Sequence, residues 1–87
     1  MGAERKIALV TGAGSGIGKA TTLALLKEGY SVVLAGRRPE ALEQTMSEAG
    51  HRRSACLAVP TDVSNSSSIR DLFEKTKNTF GRLDLLF

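Results

Sequence analysis

Four of the nine glycines in this 87-residue chain, Gly12, Gly14, Gly16 and Gly18, fall within seven consecutive positions. A backbone so bare of side chains suits neither a strand nor a helix interior, and it marks a turn where another group comes close to the main chain. Before the cluster lies Lys6 to Thr11, with the run IALV at its centre and no polar alternation, the pattern of a strand covered on both faces. After it, GIGKATTLALLKE (Gly16 to Glu28) puts Ile17, Ala20, Ala24 and Leu25 near helical spacing, with Gly29 as a C-terminal cap. The cluster therefore joins a buried strand to a helix.

The alternation then repeats. Ser31 to Gly36 (SVVLAG) predicts a second buried strand, and Pro39 opens a helix whose inner face is Leu42, Thr45, Met46 and Ala49, closed by Gly50. Arg53 to Val59 predicts a third strand, stopped by Pro60. Ser64 is the expected N-cap of a third helix, with an apolar stripe of Ile69, Leu72, Phe73, Thr76 and Phe80 ending at Gly81. Leu83 to Phe87 (LDLLF) begins a fourth strand. Strict βαβαβαβ alternation predicts an α/β fold with a doubly wound parallel sheet, and right-handed crossovers favour the strand order 3-2-1-4. In that order strand 4 is an apolar edge, guarded only by the inward charge of Asp84. Residues 1–87 thus read as one partial domain, interrupted at strand 4.

Composition narrows the classes further. A net charge of +3, with basic residues scattered among acids, argues against a nucleic-acid reader. No apolar run approaches the roughly 20 residues of a membrane helix, and MGAERK has no apolar leader core, so no membrane partner and a cytoplasmic setting are expected. Cys56 has no partner for a disulfide and sits in a strand of small apolar residues, while His51 lacks a second ligand at metal spacing; no metal site is expected. Glu40, Glu43 and Glu48 read as a solvated helix face.

A glycine turn leading into a helix aims free amides and the positive end of the helix dipole at an anion. The form G-x-x-x-x-G-K-[ST] fails, because Ala13 stands five before Gly18 and Ala20 replaces the hydroxyl that would hold magnesium. Lys19 is then a helix-face lysine. The form G-x-G-x-x-G fails in every register, since Ile17, Lys19 and Thr21 occupy the third positions. What remains is T-G-x-x-x-G-x-G, Thr11 to Gly18.

This stretch resembles the cofactor loop of the short-chain dehydrogenase/reductase family, and three further landmarks agree in order: VVLAGRR running out of strand 2, PTDV at 60–63, and FGRLDLLF at 80–87. The resemblance covers the whole chain and implies a Rossmann-type NAD(P)-binding domain. It gives Gly12, Gly16 and Gly18 the turn, the close pyrophosphate approach and helix packing, with Gly14 in the same loop. Ser15 and the amide of Ile17 would donate to phosphate or ribose oxygens. Asp62 would accept from the adenine amine and Val63 pack on the ring; the alternative for Asp62 is a plain loop or cap residue.

An acid at the end of strand 2 would favour NAD, and that position is Gly36. Arg37 and Arg38 follow, and two cations at a helix start suit a bound 2′-phosphate. NADP(H) is thus the expected cofactor, with NAD possible; the alternative is a pair of solvated arginines. The family transfers hydride between nicotinamide and a carbonyl or alcohol substrate, and its parent enzymes are expected to be homo-oligomers. Its catalytic tyrosine, lysine, serine and asparagine match no position here. Tyr30, with Leu34 four residues on, is not that tyrosine. This chain is therefore expected to bind cofactor without catalytic residues, and Thr11 to lose the partner that ties the family's loop to a motif after strand 4. The other class of reading is a short natural module that binds nucleotide or pairs through strand 4 without catalysis.

Overall fold

The IALV run folds as expected: Ile7–Thr11 is strand β1, and all four of those aliphatic residues are buried. In the computed structural model, which describes residues 5–87, β1 leads to helix α1 (Gly16–Lys27), strand β2 (Ser31–Gly36) and helix α2 (Pro39–Glu48). A short 3₁₀ segment (Gly50–Ala55), strand β3 (Cys56–Pro60), helix α3 (Ser66–Phe80) and strand β4 (Leu85–Leu86) follow. The sheet is parallel in the order β3-β2-β1-β4, the predicted doubly wound arrangement.

Successive side chains on a strand point to opposite faces, so the apolar runs supply two cores. Ala8, Val10, Val32 and Leu34 pack with Leu26 of α1 and Leu42 of α2 on one face. Ile7, Leu9, Val33 and Ala35 pack with Val59 and with Leu72 of α3 on the other. Burying Leu9, Leu34 and Leu42 completely stabilises the fold by about 1.5 to 3 kcal/mol per side chain.

Several local expectations change. The inner face of α1 is Gly18, Thr22 and Leu26, with Leu23 and Leu25 half-buried beside it, whereas Ala20 and Ala24 are exposed and Ile17 is 75% exposed. Gly18 must face the carbonyl of Gly12, and that contact sets the helix rotation. The third strand starts at Cys56, because Gly50, at φ 61°, turns the chain into the 3₁₀ segment and Arg53 pairs with Glu43 of α2. The N-cap of α3 is Asn65, whose side chain accepts from the Ser68 amide at 3.1 Å, since the Ser64 hydroxyl goes to Asp62 instead. Cys56 is half-buried, and burial pushes its thiol pKa up against the charge of Arg53.

Strand β4 is held to β1 by a reciprocal pair. The Ile7 amide donates to Asp84 Oδ2 at 2.8 Å, and the Asp84 amide donates to the Ile7 carbonyl at 2.8 Å. Arg82 donates to the same carboxylate at 2.7 Å. Asp84 therefore ties β4 inward and does not guard its outer edge, where Leu85, Leu86 and Phe87 are exposed. Thr11 also joins the two segments: its hydroxyl donates to the Phe87 carbonyl at 3.1 Å and its amide to the same oxygen at 2.9 Å.

Candidate functional site

Where β1, β2 and β3 end, their following turns form a groove of about 400 Å³. In doubly wound sheets this carboxyl end of the strands is where ligands bind. From β1 come Gly12, Gly14 and Ser15; from β2, Gly36, Arg37 and Arg38; from α2, Ala41 and Leu42; after β3, Thr61 and Val63. The sheet ladder continues into these turns, as the Ala13 amide donates to the Ala35 carbonyl and the Thr61 amide to the Gly36 carbonyl. The groove floor is thus fixed by main-chain bonds.

Gly12 and Gly16 have φ of 62° and 59°, a left-handed backbone that costs an L residue about 1 to 2 kcal/mol. Gly18 lies beneath this turn, where a β-carbon would overlap the Gly12 carbonyl. The turn brings Ser15, the N-cap of α1, to the groove. The first amides of a helix have no partners within it, and the Ser15 side chain caps none of them. No acid occupies the first turn, so its partial positive charge is unopposed from within the helix. Lys19, in contrast, pairs with Glu48 at the end of α2.

Arg37 and Arg38 are exposed at the groove wall, and Arg38 is the N-cap of α2, immediately before Pro39. Asp62 lies beside the groove without lining it. Its Oδ1 accepts from the Ser64 hydroxyl at 2.6 Å and the Ser64 amide at 3.0 Å, and these bonds hold its carboxyl below the ordinary carboxylate range, with a smaller effect from the charge of Arg37. Its amide donates to the Ser68 hydroxyl at 2.9 Å. Val63 lines the groove and is 58% exposed.

Of the residues singled out in the sequence, Gly12, Gly14, Ser15, Arg37, Arg38 and Val63 meet in this groove. Gly16, Ile17, Gly18 and Asp62 do not line it: Gly18 is buried under the turn, and Ile17 faces outward. Ala41, Leu42 and Thr61 line it without having been singled out as site residues. Leu42 was legible only as a core residue, and Thr61 only as part of PTDV.

A family model described as short chain dehydrogenase matches residues 6–87. The chain belongs to the short chain dehydrogenase family. An uncharacterized oxidoreductase of Staphylococcus aureus strain MW2 is 44% identical over 81 residues, which are 93% of this chain and 34% of that protein. Among solved structures, a 3-ketoacyl-(acyl-carrier-protein) reductase from Brucella melitensis complexed with NADH superposes with a TM-score of 0.86 at 36% identity, over 95% of this chain and 33% of that one. An alcohol dehydrogenase from Thermococcus sibiricus complexed with 5-hydroxy-NADP gives a TM-score of 0.88 at 32% identity, over 95% and 36% respectively. The chain therefore spans about a third of the length of the relatives it matches. Among the described residues no helix is long and apolar enough to cross a membrane.

Proposed function

We propose that this chain is the cofactor-binding portion of an NADP(H)-dependent oxidoreductase that moves hydride between nicotinamide and a carbonyl or alcohol. Family membership, and relatives complexed with NADH and with an NADP derivative, support a nicotinamide dinucleotide without choosing its form. The choice rests on one observation: Gly36 offers no acid at the end of β2, and Arg37 and Arg38 stand at the groove wall beside it. A groove lined by Gly12, Gly14 and Gly36, with the N-cap Ser15 in its wall and the first amides of α1 next in the chain, is a fitting cradle for a pyrophosphate.

In this reading Gly12, Gly14 and Gly16 let the main chain approach the diphosphate, and Gly18 seats α1 behind it. Ser15 and the Ile17 amide donate to its oxygens. Arg37, with Arg38, holds the ribose 2′-phosphate by charge-assisted hydrogen bonds. Asp62 accepts from the adenine amine through its carboxylate, and Val63 packs on the ring. The bound nicotinamide supplies or takes up the hydride. Residues for substrate and proton transfer are not assigned to this chain, and residues 1–87 by themselves give no turnover.

Equilibrium titration of the chain with NADPH and with NADH tests the reading. The phosphate contacts, at about 1.5 to 3 kcal/mol, should favour NADPH by about one to two orders of magnitude. Equal affinities would remove the NADP assignment, and no binding of either would remove the cofactor assignment. Turnover of a carbonyl panel with NADPH by this chain alone would overturn the placement of the chemistry elsewhere.

A further inference from the structure

Helix α2 touches the glycine turn at two points. A β-carbon on Gly14 would stand 2.7 Å from the β-carbon of Ala41, so the missing side chain at 14 admits α2 against the turn. One helical turn on, Thr45 is fully buried and its hydroxyl donates to the Ala13 carbonyl at 2.9 Å. Residues four apart share a helix face, so Ala41 and Thr45 form one contact surface.

The direction of that bond is unusual within this protein. Helical threonines commonly return their proton to the carbonyl four residues earlier. Thr22 does so to Gly18 and Thr76 to Leu72, each at 2.8 Å and each buried. Thr45 has the same option at Ala41, but at 3.3 Å, and its shorter bond crosses to the glycine turn. A hydroxyl has one proton to give. Both main-chain groups of Ala13 are consequently held, its amide by Ala35 of β2 and its carbonyl by α2.

We propose that Thr45 is a positioning residue for the dinucleotide site: its bond to the Ala13 carbonyl fixes the main chain of the glycine turn, and so fixes the turn's amides where they meet the pyrophosphate. The inference rests on the dinucleotide reading above. The pyrophosphate is common to NADPH and NADH, so loss of the anchor weakens both equally and leaves their ratio unchanged. Loss of the arginines would instead change the ratio.

The test uses the chain with two substitutions. Thr45→Val keeps the branched shape and removes the donor, while Thr45→Ser keeps the donor. Thr45→Val should raise the Kd for NADPH and for NADH by the same factor, about five- to tenfold for one hydrogen bond, with Thr45→Ser close to the parent chain. Hydrogen exchange of the Gly14, Ser15 and Gly16 amides, measured without nucleotide, should quicken in Thr45→Val alone. Unchanged Kd and exchange in Thr45→Val overturn the proposal, as does a Thr45→Ser chain as weak as Thr45→Val. A Thr45→Val chain that fails to fold beside a folded Thr45→Ser chain also overturns it, because the hydroxyl then serves the fold and not the placement of the turn. If the parent chain binds neither nucleotide while Thr45→Val quickens exchange in the turn, the dinucleotide reading fails and the anchor stands.

Discussion

Gly18 is packed so closely on Gly12 that a β-carbon at 18 would overlap the Gly12 carbonyl oxygen. The contact is with backbone on both sides, and no flexible side chain can give way. Gly18→Ala should therefore cost the upper end of the range for overpacking, about 3 kcal/mol or more. A β-carbon on Gly12 would meet open space, so Gly12→Ala carries only the left-handed backbone penalty of about 1 to 2 kcal/mol. Urea midpoints of the two variants give the order directly, and a Gly12→Ala chain less stable than Gly18→Ala would contradict it.

The arginine pair makes the second prediction. Arg37→Ala with Arg38→Ala should weaken NADPH binding about 10- to 100-fold and leave NADH nearly unchanged, with Arg37→Ala alone causing the larger share. Both side chains are exposed, so the NADPH advantage should also shrink as salt is added. Equal losses for the two cofactors in fluorescence titrations would sink the phosphate assignment.

Acid should loosen β4. Arg82 first, and then the Ile7 amide, hold the Asp84 carboxyl below the ordinary carboxylate range. A carboxyl depressed in the folded state stabilises it above the unfolded pKa, and that contribution is lost as pH falls through the folded pKa. Asp84→Asn should thus lower the urea midpoint at neutral pH, and the gap to the parent chain should close in acid. Asp62 titrates in the same direction, so the difference between the two chains isolates Asp84. A gap that stays constant as the pH falls from neutral to well below the ordinary carboxylate range would assign the effect to shape and not to charge.

The outer edge of β4 should make the chain associate. Leu86 of β4 is 58% exposed and Phe87, just after it, 51%, and among the described residues β4 is an edge strand, paired with β1 alone. Sedimentation velocity should show concentration-dependent growth in mass, and Leu86→Lys should weaken it at least about tenfold, the equivalent of one leucine burial. Monomers at every concentration for both chains would refute the idea.

The order of elements, the strand order and the face of α2 were legible because each strand is an unbroken aliphatic run and each helix is punctuated by glycine or proline. The face of α1 was not. An apolar count passes over Gly18, whose lack of a side chain is what turns it inward, and over Thr22, whose hydroxyl is satisfied within its own helix. The start of β3 was obscured because Arg53 and Ser54 suit a strand no worse than a 3₁₀ turn. At the groove, Gly12, Ser15, Arg37 and Val63 were visible as motif positions, whereas Ala41 and Thr61 enter only through the way α2 and β3 meet the turn. Thr45 could be seen as a core residue, but its partner lies 32 residues away and no local pattern gives the direction of that bond.

The reciprocal bonds between Ile7 and Asp84 join residues 77 positions apart, whereas β1 meets its other neighbour at Ser31. Closing the longer loop costs more chain entropy, so β1 should pair with β2 early and with β4 last. During synthesis at about 5 to 20 residues per second, one side of this central strand waits roughly 4 to 15 s for its partner. The least protected moment for this protein is therefore on the ribosome, when an aliphatic strand already buried on one flank has nothing yet to cover the other.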